Sequence, residues 1–378
     1  MPLNALTRRL AVAVATVATA LGSALFWTAP AQADGNPVTP GDFTGYAFDQ
    51  CLAPNQSAMT TWMNTSPFLA VGIYISGASR GCPSQPNLTP AWVQTQLAAG
   101  WRLLPITLGP QAWCTTRQRY LHQVRINPSP SGTYSSARTQ GRAEADKTAG
   151  VAKSLGIVAG STLWYDIEAF DIGSTDCRES AIYFLQGWTN RMHELNYVSG
   201  VYSSAASGMK MLDNARRTTP TKYTLPDRIW IADWNGTADV RSSYIADDGW
   251  MPHQRMHQYR GGHNETYGGV TISIDNNWVD LGRGSYIDPE PYHCGTSFNF
   301  PSYSVLSAGT TETGQVKALQ CMLKNRGLYS GPINGSYSRG VINAVHAYRT
   351  RRGWGPSDSW TKSAWMTILT EGARPVLK

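Results

Sequence analysis

The sequence has few charged residues and lacks the motifs of several common sites. Asp, Glu, Lys and Arg make up only 15% of the 378 residues, and no run rich in Lys and Arg is present, so a nucleic-acid-binding protein is not expected. No G-x-G-x-x-G, H-E-x-x-H or C-x-x-C sequence occurs, which disfavours dinucleotide, zinc-protease and zinc-finger sites. With 42% hydrophobic residues, the chain can bury a large core, and wholesale disorder is excluded.

The first residues have the pattern of an export signal. Arg8 and Arg9 precede an apolar run from Ala11 to about Phe26, and a small-residue A-x-A sequence ends at Ala33. This order is typical of a secretory signal peptide. We therefore predict a signal peptide over residues 1–33 and a secreted, cell-wall-associated protein. A membrane anchor is the alternative, and the arginine pair leaves the Sec and twin-arginine routes open. No later apolar run approaches the roughly 18 residues of a membrane span.

Six cysteines in a chain with an export signal indicate disulfides. Their order along the chain suggests the pairs Cys51–Cys82, Cys114–Cys177 and Cys294–Cys321, although six cysteines allow 15 pairings. A thiol nucleophile is therefore not expected, and neither is a serine nucleophile.

Short β-rich runs alternate with helical patterns after residue 40. The candidate strands are 44–49, 71–77, 102–109, 163–169, 199–204, 228–234, 256–260 and 272–277. Helices are predicted over 89–99, 140–155 and 176–195. This alternation favours parallel strands with crossover helices, and the number and length of the units predict an α/β fold of the TIM-type (β/α)8 barrel class over residues 40–283. The alternative is an open doubly wound sheet.

Two connections depart from the regular alternation. The link between the seventh and eighth strands is short, so one helix of the regular alternation could be missing there. The segment 110–139 carries Pro128, Pro130 and Gly132 and is predicted to form a lid or rim loop.

A linker rich in Gly, Pro, Ser and Tyr is predicted over residues 284–303, followed by a small all-α domain over 304–372. Its helices are expected over 313–326, 338–351 and 361–369, from the spacing of apolar residues.

Acidic residues recur where the predicted strands end: Asp49, Asp166, Glu168, Asp233 and Asp275. In a TIM barrel these ends form the active-site face. Crowded carboxyl groups raise one another's pKa, and a carboxyl group that stays neutral can protonate a glycosidic oxygen. The alternatives are that these acids cap helices or satisfy loops, or that they bind a metal through oxygen ligands. Nearby, Asp171 and Asp176 are expected to be helix caps.

Aromatic side chains also gather near the strand ends. Tyr202, Trp234, Tyr259 and Trp278 could stack on the apolar faces of sugars, although ordinary packing is the alternative. We interpret His253, His257 and His263 as packing residues, because their spacing matches no metal site. No cofactor and no metal are expected.

Residues 44–280 resemble the actinobacterial glycoside hydrolase-like TIM-barrel family, which is similar to glycoside hydrolase family 25 lysozymes. The motifs that carry the resemblance are Gly45-Tyr46-Ala47-Phe48-Asp49-Gln50, Gly72-Ile73-Tyr74-Ile75-Ser76-Gly77, Leu104-Pro105-Ile106, Trp164-Tyr165-Asp166-Ile167-Glu168, Trp230-Ile231-Ala232 and Gln258-Tyr259. The resemblance implies that Glu168 is the general acid and that Asp166 and Asp49 are its electrostatic or orienting partners. Gln258, Tyr259 and Asp275 also match the lysozyme pattern, whereas Asp233 departs from it. We expect Asp233, Asp275, Gln258 and Tyr259 to bind substrate together with the strand-end residues Tyr202 and Trp234. His257 stands where the lysozymes have Trp.

The tail resembles the peptidoglycan-binding-like module of exported bacterial hydrolases. The matching segments are Gly314-Gln315-Val316-Lys317-Ala318-Leu319-Gln320, Asn334-Gly335-Ser336-Tyr337 and Ala364-Trp365. The resemblance implies a wall-bound protein; a module that only stabilises or dimerises is the alternative.

Together these features predict an exported cell-wall glycoside hydrolase that acts on an N-acetylated glycan, with peptidoglycan as the expected partner, and a monomer. The second hypothesis is a non-catalytic glycan-binding protein with a degenerate cleft. A wall amidase or peptidase is a third, and it would need a metal or thiol centre.

Overall fold

The computed structural model describes residues 36–282, the backbone of 292–293 and 296–297, and residues 304–351, 354–361, 364, 365 and 368. The predicted signal peptide, most of the predicted linker and the end of the tail lie outside these residues.

Eight strands close into a barrel in sequence order. They are β1 (Thr44–Asp49), β2 (Ala70–Ser76), β3 (Arg102–Thr107), β4 (Thr162–Asp166), β5 (Val198–Ser204), β6 (Arg228–Ala232), β7 (Arg255–Tyr267) and β8 (Val270–Asp280). The TIM-type α/β fold class is confirmed.

The direction of the last strand corrects the expectation of eight parallel strands. Strands β1 to β7 run parallel, but β8 is antiparallel to both β7 and β1. The connection consists of Gly268 and Gly269, both with positive φ, which is a hairpin turn that glycine favours. Two residues cannot hold a parallel crossover, so no helix follows β7.

Helices cover the outside of the barrel. They are α1 (Gln56–Thr65), α2 (Pro90–Ala99), α3 (Gln118–Leu121), α4 (Ser131–Ser154), α5 (Thr175–Glu194) and α6 (Lys210–Thr218), with a π-helix at Ala205–Met209. Helix α2 begins as its sequence predicts: the Thr89 side chain accepts a hydrogen bond from the Trp92 N–H, and Pro90 occupies the first turn.

Helix α4 starts earlier than predicted, because residues 135–139 are helical and not part of a loop. The backbone of Gly132, Thr133 and Tyr134 is left-handed, so these residues form a turn that precedes the right-handed helix. The Tyr134 ring stacks on Tyr183 of α5.

The β7–β8 hairpin extends past the barrel and packs on α1. Trp62 of α1 donates a hydrogen bond from Nε1 to the Val270 carbonyl over 3.1 Å, and its ring meets Tyr267 edge to face. The hairpin is therefore held in the helix layer.

Both disulfides formed within the barrel brace loops at the carboxyl ends of the strands. Cys51–Cys82 joins the loops after β1 and β2, and Cys114–Cys177 joins the loop after β3 to the first turn of α5. These two predicted pairs are confirmed. The third pair includes Cys294, which lies outside the described residues.

The tail contains α7 (Thr313–Asn325) and α8 (Arg339–Arg351), close to the predicted ranges. Two short strands, β9 (Tyr292–His293) and β10 (Thr296–Ser297), pair within the segment predicted as a linker. The tail contacts the barrel, because Arg349 donates to Asn64 Oδ1 and Trp354 donates to the Ala99 carbonyl. The division into separate domains stays a prediction. Within the described residues, no helix is long and apolar enough to cross a membrane.

Candidate active site

Four of the five predicted acids meet at one mouth of the barrel. Asp49 ends β1, Asp166 ends β4, and Glu168 follows two residues later. Asp275 lies within β8, and the reversed direction of that strand places it in register with Asp49. Gln258 of β7 joins these two residues, since its Nε2 donates to Asp49 Oδ2 over 3.1 Å and to Asp275 Oδ2 over 3.2 Å.

Burial and crowding shift the ionisation of Asp49. The residue is 3% exposed. Burial and the charge of Asp275 raise its pKa to about 7, although hydrogen bonds from Asn277 and Gln258 favour its carboxylate form. The pKa of Asp275 is raised as well, mainly because the residue is buried and also because of the nearby charge of Glu168.

Asp166 lies deepest in the cluster. Burial and the charges of Glu168 and Asp49 raise its pKa well above the usual range. Tyr74 of β2 reaches Asp166 Oδ2 from its hydroxyl over 3.4 Å. The other oxygen, Oδ1, is buried and has no hydrogen-bond partner among the described residues. A polar group of a bound ligand could satisfy this atom.

Glu168 is more accessible than the two aspartates at the strand ends. Its side chain is 21% exposed, and Arg117 Nη2 lies 3.1 Å from its Oε2. The Tyr120 hydroxyl donates to Glu168 Oε1 over 3.3 Å. Gln111 fixes the backbone here, because its Oε1 accepts from the Glu168 N–H and its Nε2 donates to the Asp166 carbonyl.

Gln258 also holds two aromatic side chains at the mouth. Its Oε1 accepts hydrogen bonds from the Tyr202 hydroxyl over 2.9 Å and from Trp234 Nε1 over 3.0 Å. Trp234 is 67% exposed, so one face of the cleft carries an open aromatic surface. The geometry combines an acidic floor with a stacking platform, which suits a sugar ring.

The chain matches one known protein family. The model of the Rv2525c-like, glycoside hydrolase-like domain matches residues 60–279, more than half of the chain. The chain belongs to this family.

The similar solved structures are distant. An uncharacterized B. stearothermophilus protein is 14% identical with a TM-score of 0.37, over 62% of this chain and 95% of that chain. The Mycobacterium tuberculosis Tat-secreted protein Rv2525c, in complex with L-tartrate, is 13% identical with a TM-score of 0.41, over 62% and 95%. The modular Cpl-1 endolysin, complexed with a peptidoglycan analogue, is 14% identical with a TM-score of 0.35, over 67% and 58%. No curated protein matches the chain significantly.

Two predicted substrate-binding residues of this family member lie away from the carboxyl cluster. Asp233 accepts a hydrogen bond from Ser242 Oγ over 2.8 Å and makes no described contact with the other four acids. The charged and phenolic groups near Tyr259 are Tyr46, Arg260, Glu265 and Tyr267, and none of them belongs to the carboxyl cluster. His257 is fully buried, and its ring nitrogens bond to the Asp233 and Asp239 carbonyls. Trp278, also predicted near the mouth, packs edge to face on Tyr46.

The expected helix caps are wrong. Ser174 occupies the position before α5, without a capping side-chain hydrogen bond. Asp171 instead accepts from the Gly173 N–H, and Asp176 accepts from the Tyr134 hydroxyl. Both carboxylates therefore stabilise the loop and the α4–α5 contact.

The segment Gly77-Ala78-Ser79-Arg80-Gly81 matches the G-x-S-x-G pattern that carries a serine nucleophile in α/β-hydrolases. Ser79 is 1% exposed, and its backbone is tied to Leu108 and Arg119. No histidine is hydrogen-bonded to its hydroxyl in the described part of the chain. Ser79 is therefore a structural residue of the loop after β2.

Sequence reasoning missed five residues that contact the cluster: Tyr74, Gln111, Arg117, Tyr120 and Asn277. Tyr74 could have been found, because alternation along β2 places it on the same inward-facing side of the strand as Gly72, next to Asp49. Gln111, Arg117 and Tyr120 belong to the predicted rim loop, and no periodic pattern indicates which of its side chains turn inward. Across the described residues, no group of three or more His, Cys, Asp and Glu side chains is placed to hold a metal ion.

The raised pKa of Asp49 predicts a pH-dependent gain of stability in Asp49→Asn. The unfolded state releases the proton near pH 4 and the folded state near pH 7, so the wild-type free energy of unfolding falls across this window. An uncharged Asn avoids this loss, and its Oδ1 can still accept from Asn277. Relative to wild type, we expect the variant to gain on the order of 3 kcal/mol between pH 4 and pH 7. Urea unfolding at both pH values measures the gain.

The matched control is Asp248→Asn, since the pKa of the Asp248 carboxyl is lowered by Arg216 rather than raised. Its side chain is 77% exposed, so we expect a change close to zero at both pH values. Equal pH dependence of wild type and Asp49→Asn would contradict a buried proton at this position.

Proposed function

We propose that the protein is an exported cell-wall glycoside hydrolase that cleaves an N-acetylated glycan, with peptidoglycan as the substrate. One observation carries the proposal: Asp49, Asp166, Glu168 and Asp275 share one barrel mouth beside an exposed tryptophan. Family membership, the two rim disulfides and the N-terminal signal pattern support it.

In this proposal Glu168 is the general acid. It is the member of the Asp166–Glu168 pair that keeps a partly exposed side chain, and therefore the one that a glycosidic oxygen can approach. Its proton passes to that oxygen as the bond breaks, and a water molecule supplies the hydroxyl group that the anomeric carbon gains and the proton that the enzyme has lost. Asp49 and Asp166 lie on the floor below. Asp49, whose pKa is about 7, can be ionised near neutral pH and stabilise an oxocarbenium-like transition state as a carboxylate.

The unpartnered Oδ1 of Asp166 supports an N-acetylated substrate. This atom is buried at the mouth, and leaving a buried polar atom unpaired costs about 1–3 kcal/mol. The N–H of an acetamido group would donate to it when Asp166 carries its proton on the other oxygen or is ionised. Gln258 and Trp234 would then contact the neighbouring sugar.

Reducing-end release from purified peptidoglycan tests this function. We expect release by the wild-type protein, with a bell-shaped dependence of kcat/KM on pH, because one carboxyl group must be protonated and a neighbour ionised. A metal chelator should leave the rate unchanged, whereas an amidase or peptidase with a metal centre would lose activity. Failure to release reducing ends from any N-acetylated glycan would overturn the proposal.

A non-catalytic glycan-binding protein is the second candidate, and one observation favours it. Arg117 forms an ion pair with Glu168 and thereby engages the carboxyl group that would have to donate a proton. In this case the protein would bind glycans without releasing reducing ends, and Glu168→Gln would leave the binding intact.

Trp234→Ala is expected to weaken glycan binding. The ring lies over Gly261, where a Cβ atom would come within 2.3 Å of it, so the tryptophan is held in place. Loss of one stacking surface should cost about 1 kcal/mol, or roughly a fivefold increase in Kd. Titration calorimetry with a soluble glycan fragment measures this.

Trp234→Phe is the matched control for this variant, since it keeps an aromatic face and loses the hydrogen bond to Gln258. We expect it to retain most of the affinity. Unchanged affinity in Trp234→Ala would place the sugar elsewhere in the mouth.

A further inference from the structure

The segment of the chain that includes the loops in contact with Glu168 has an unusual distribution of charge. Residues 50–143 contain seven arginines, one histidine and no Asp, Glu or Lys. Their formal charge equals the +7 of the whole chain, so the remaining residues are balanced overall. Four of these arginines, Arg80, Arg117, Arg119 and Arg125, lie in the loops after β2 and β3. These loops therefore form a cationic side of the barrel mouth, next to a floor of carboxyl groups.

Three arginines of these loops have no carboxylate partner among the described residues. Arg80 donates to the carbonyls of Gly77 and Tyr74, Arg119 to the Ser79 carbonyl, and Arg125 to the Trp113 carbonyl. These hydrogen bonds use a fraction of the five N–H donors that each guanidinium carries. The positive charges are thus positioned by the backbone and are not neutralised by an ion pair.

Arg119 is linked to the candidate acid through an aromatic ring. The Arg119 guanidinium lies 4.8 Å from the centroid of the Tyr120 ring, and Tyr120 donates to Glu168. On the outer side, the Arg125 guanidinium lies 5.8 Å from the centroid of the Trp113 ring, and Trp113 is 42% exposed. An aromatic face beside a guanidinium can hold a sugar that carries an anionic group.

The loops that carry this charge are fixed rather than free. The Cys51–Cys82 and Cys114–Cys177 disulfides anchor them on both sides. The Ile126 N–H also donates to the Gln111 carbonyl over 2.9 Å, which closes the loop at its base. A preorganised cationic surface loses little conformational entropy on binding.

We infer that the substrate is an anionic glycan, whose carboxylate or phosphate groups bind the arginine rim formed by Arg80, Arg119 and Arg125. This inference rests on the proposed function and specifies the substrate class of the same site. Guanidinium groups bind both oxyanions through paired N–H donors. The raised pKa values of Asp49, Asp166 and Asp275 reduce the negative charge of the floor and so its repulsion of such a substrate.

The test measures binding in a Glu168→Gln background, so that it does not depend on catalysis. The probes are soluble peptidoglycan chains with free stem carboxylates, the same chains with amidated stems, a phosphate-bearing wall polymer and neutral chitin oligosaccharides. We expect at least tenfold tighter binding of an anionic probe than of chitin, and a loss of this preference between 50 and 500 mM salt, where charges are screened. The preferred anionic probe distinguishes carboxylate from phosphate.

Arginine substitutions test whether the arginine rim causes the preference for the anionic probe. Arg119→Gln combined with Arg125→Gln should reduce the preference for the anionic probe at least fivefold, and the corresponding double Lys variant should retain most of it if folding is intact. Arg138→Gln combined with Arg142→Gln removes the same charge from α4, away from the rim, and should leave the preference unchanged. Equal binding of neutral and anionic probes at low salt would overturn the inference, whereas salt-dependent binding without hydrolysis by wild type would overturn only the proposed catalysis.

Discussion

Glu168→Gln should reduce kcat for glycan hydrolysis by about 10²–10⁴, the range for removal of a general acid. Glutamine has nearly the same shape, and it can still accept one hydrogen bond from Tyr120 or Arg117. It cannot deliver a proton to the leaving oxygen. The value of KM should therefore change little, and binding of a glycan fragment should persist. Reducing-end release and calorimetry on the same preparation separate the two effects.

Glu194→Gln is the matched control for this experiment. Glu194 is also a glutamate in ion pairs with arginines, at 2.7 Å from both Arg142 and Arg191, but it lies at the end of α5 on the outside of the barrel. We expect wild-type activity from this variant. If Glu168→Gln kept half or more of the wild-type kcat, another group would have to be the acid, and the proton held on Asp166 would become the first alternative.

The barrel could be predicted from sequence because each strand and most helices carry local signals. Apolar runs of five to seven residues and caps such as Thr89-Pro90 indicate where elements begin. The direction of β8 could not be predicted in the same way. It depends on a two-residue glycine turn and on pairing with β1, which is more than 200 residues distant in the sequence, so its cause is non-local.

The carboxyl groups on the floor of the site could be predicted because the ends of the barrel strands converge at one mouth. Asp49, Asp166, Glu168 and Asp275 share the mouth because strand topology brings them there. Asp233 follows a strand end as well, but Ser242 in the next loop binds its carboxylate. The conformation of this loop therefore keeps Asp233 out of the carboxyl cluster. In the same way, the conformation of the loop after β3 brings Arg117 and Tyr120 into contact with Glu168. Such contacts depend on a disulfide-anchored loop that has no repeating pattern.

Two glycines of the helix layer fix how closely α4 and α5 approach. A Cβ atom on Gly141 of α4 would lie 2.0 Å from the Phe184 carbonyl oxygen, and one on Gly187 of α5 would lie 2.2 Å from the Arg138 carbonyl oxygen. The two backbones are thus in direct contact at these positions. Glycine weakens a helix interior by roughly 0.5–1 kcal/mol relative to alanine, and the close packing offsets this loss.

Gly141→Ala is therefore expected to lower the free energy of unfolding by about 3 kcal/mol, because a methyl group cannot fit against a backbone oxygen without separating the helices. Gly150→Ala is the matched control in the same helix, since nothing lies within 4 Å of its Cβ position. It should raise stability by roughly 0.5–1 kcal/mol through helix propensity alone. Urea unfolding of both variants measures the opposite signs, and a gain of stability in Gly141→Ala would contradict the contact.

The same substitution should also reduce activity. Helix α5 packs on β4, where the Tyr165 ring centroid lies 4.8 Å from that of Phe184 and 5.1 Å from that of Trp188. Tyr165 immediately precedes Asp166, so a shift of α5 moves the strand that carries the deepest acid. Gly141→Ala should therefore show a lower kcat at temperatures where it remains folded, whereas Gly150→Ala should match wild type. A lower kcat in Gly141→Ala alone would show that the packing of two helices on the outside of the barrel affects the position of a carboxyl group at its mouth.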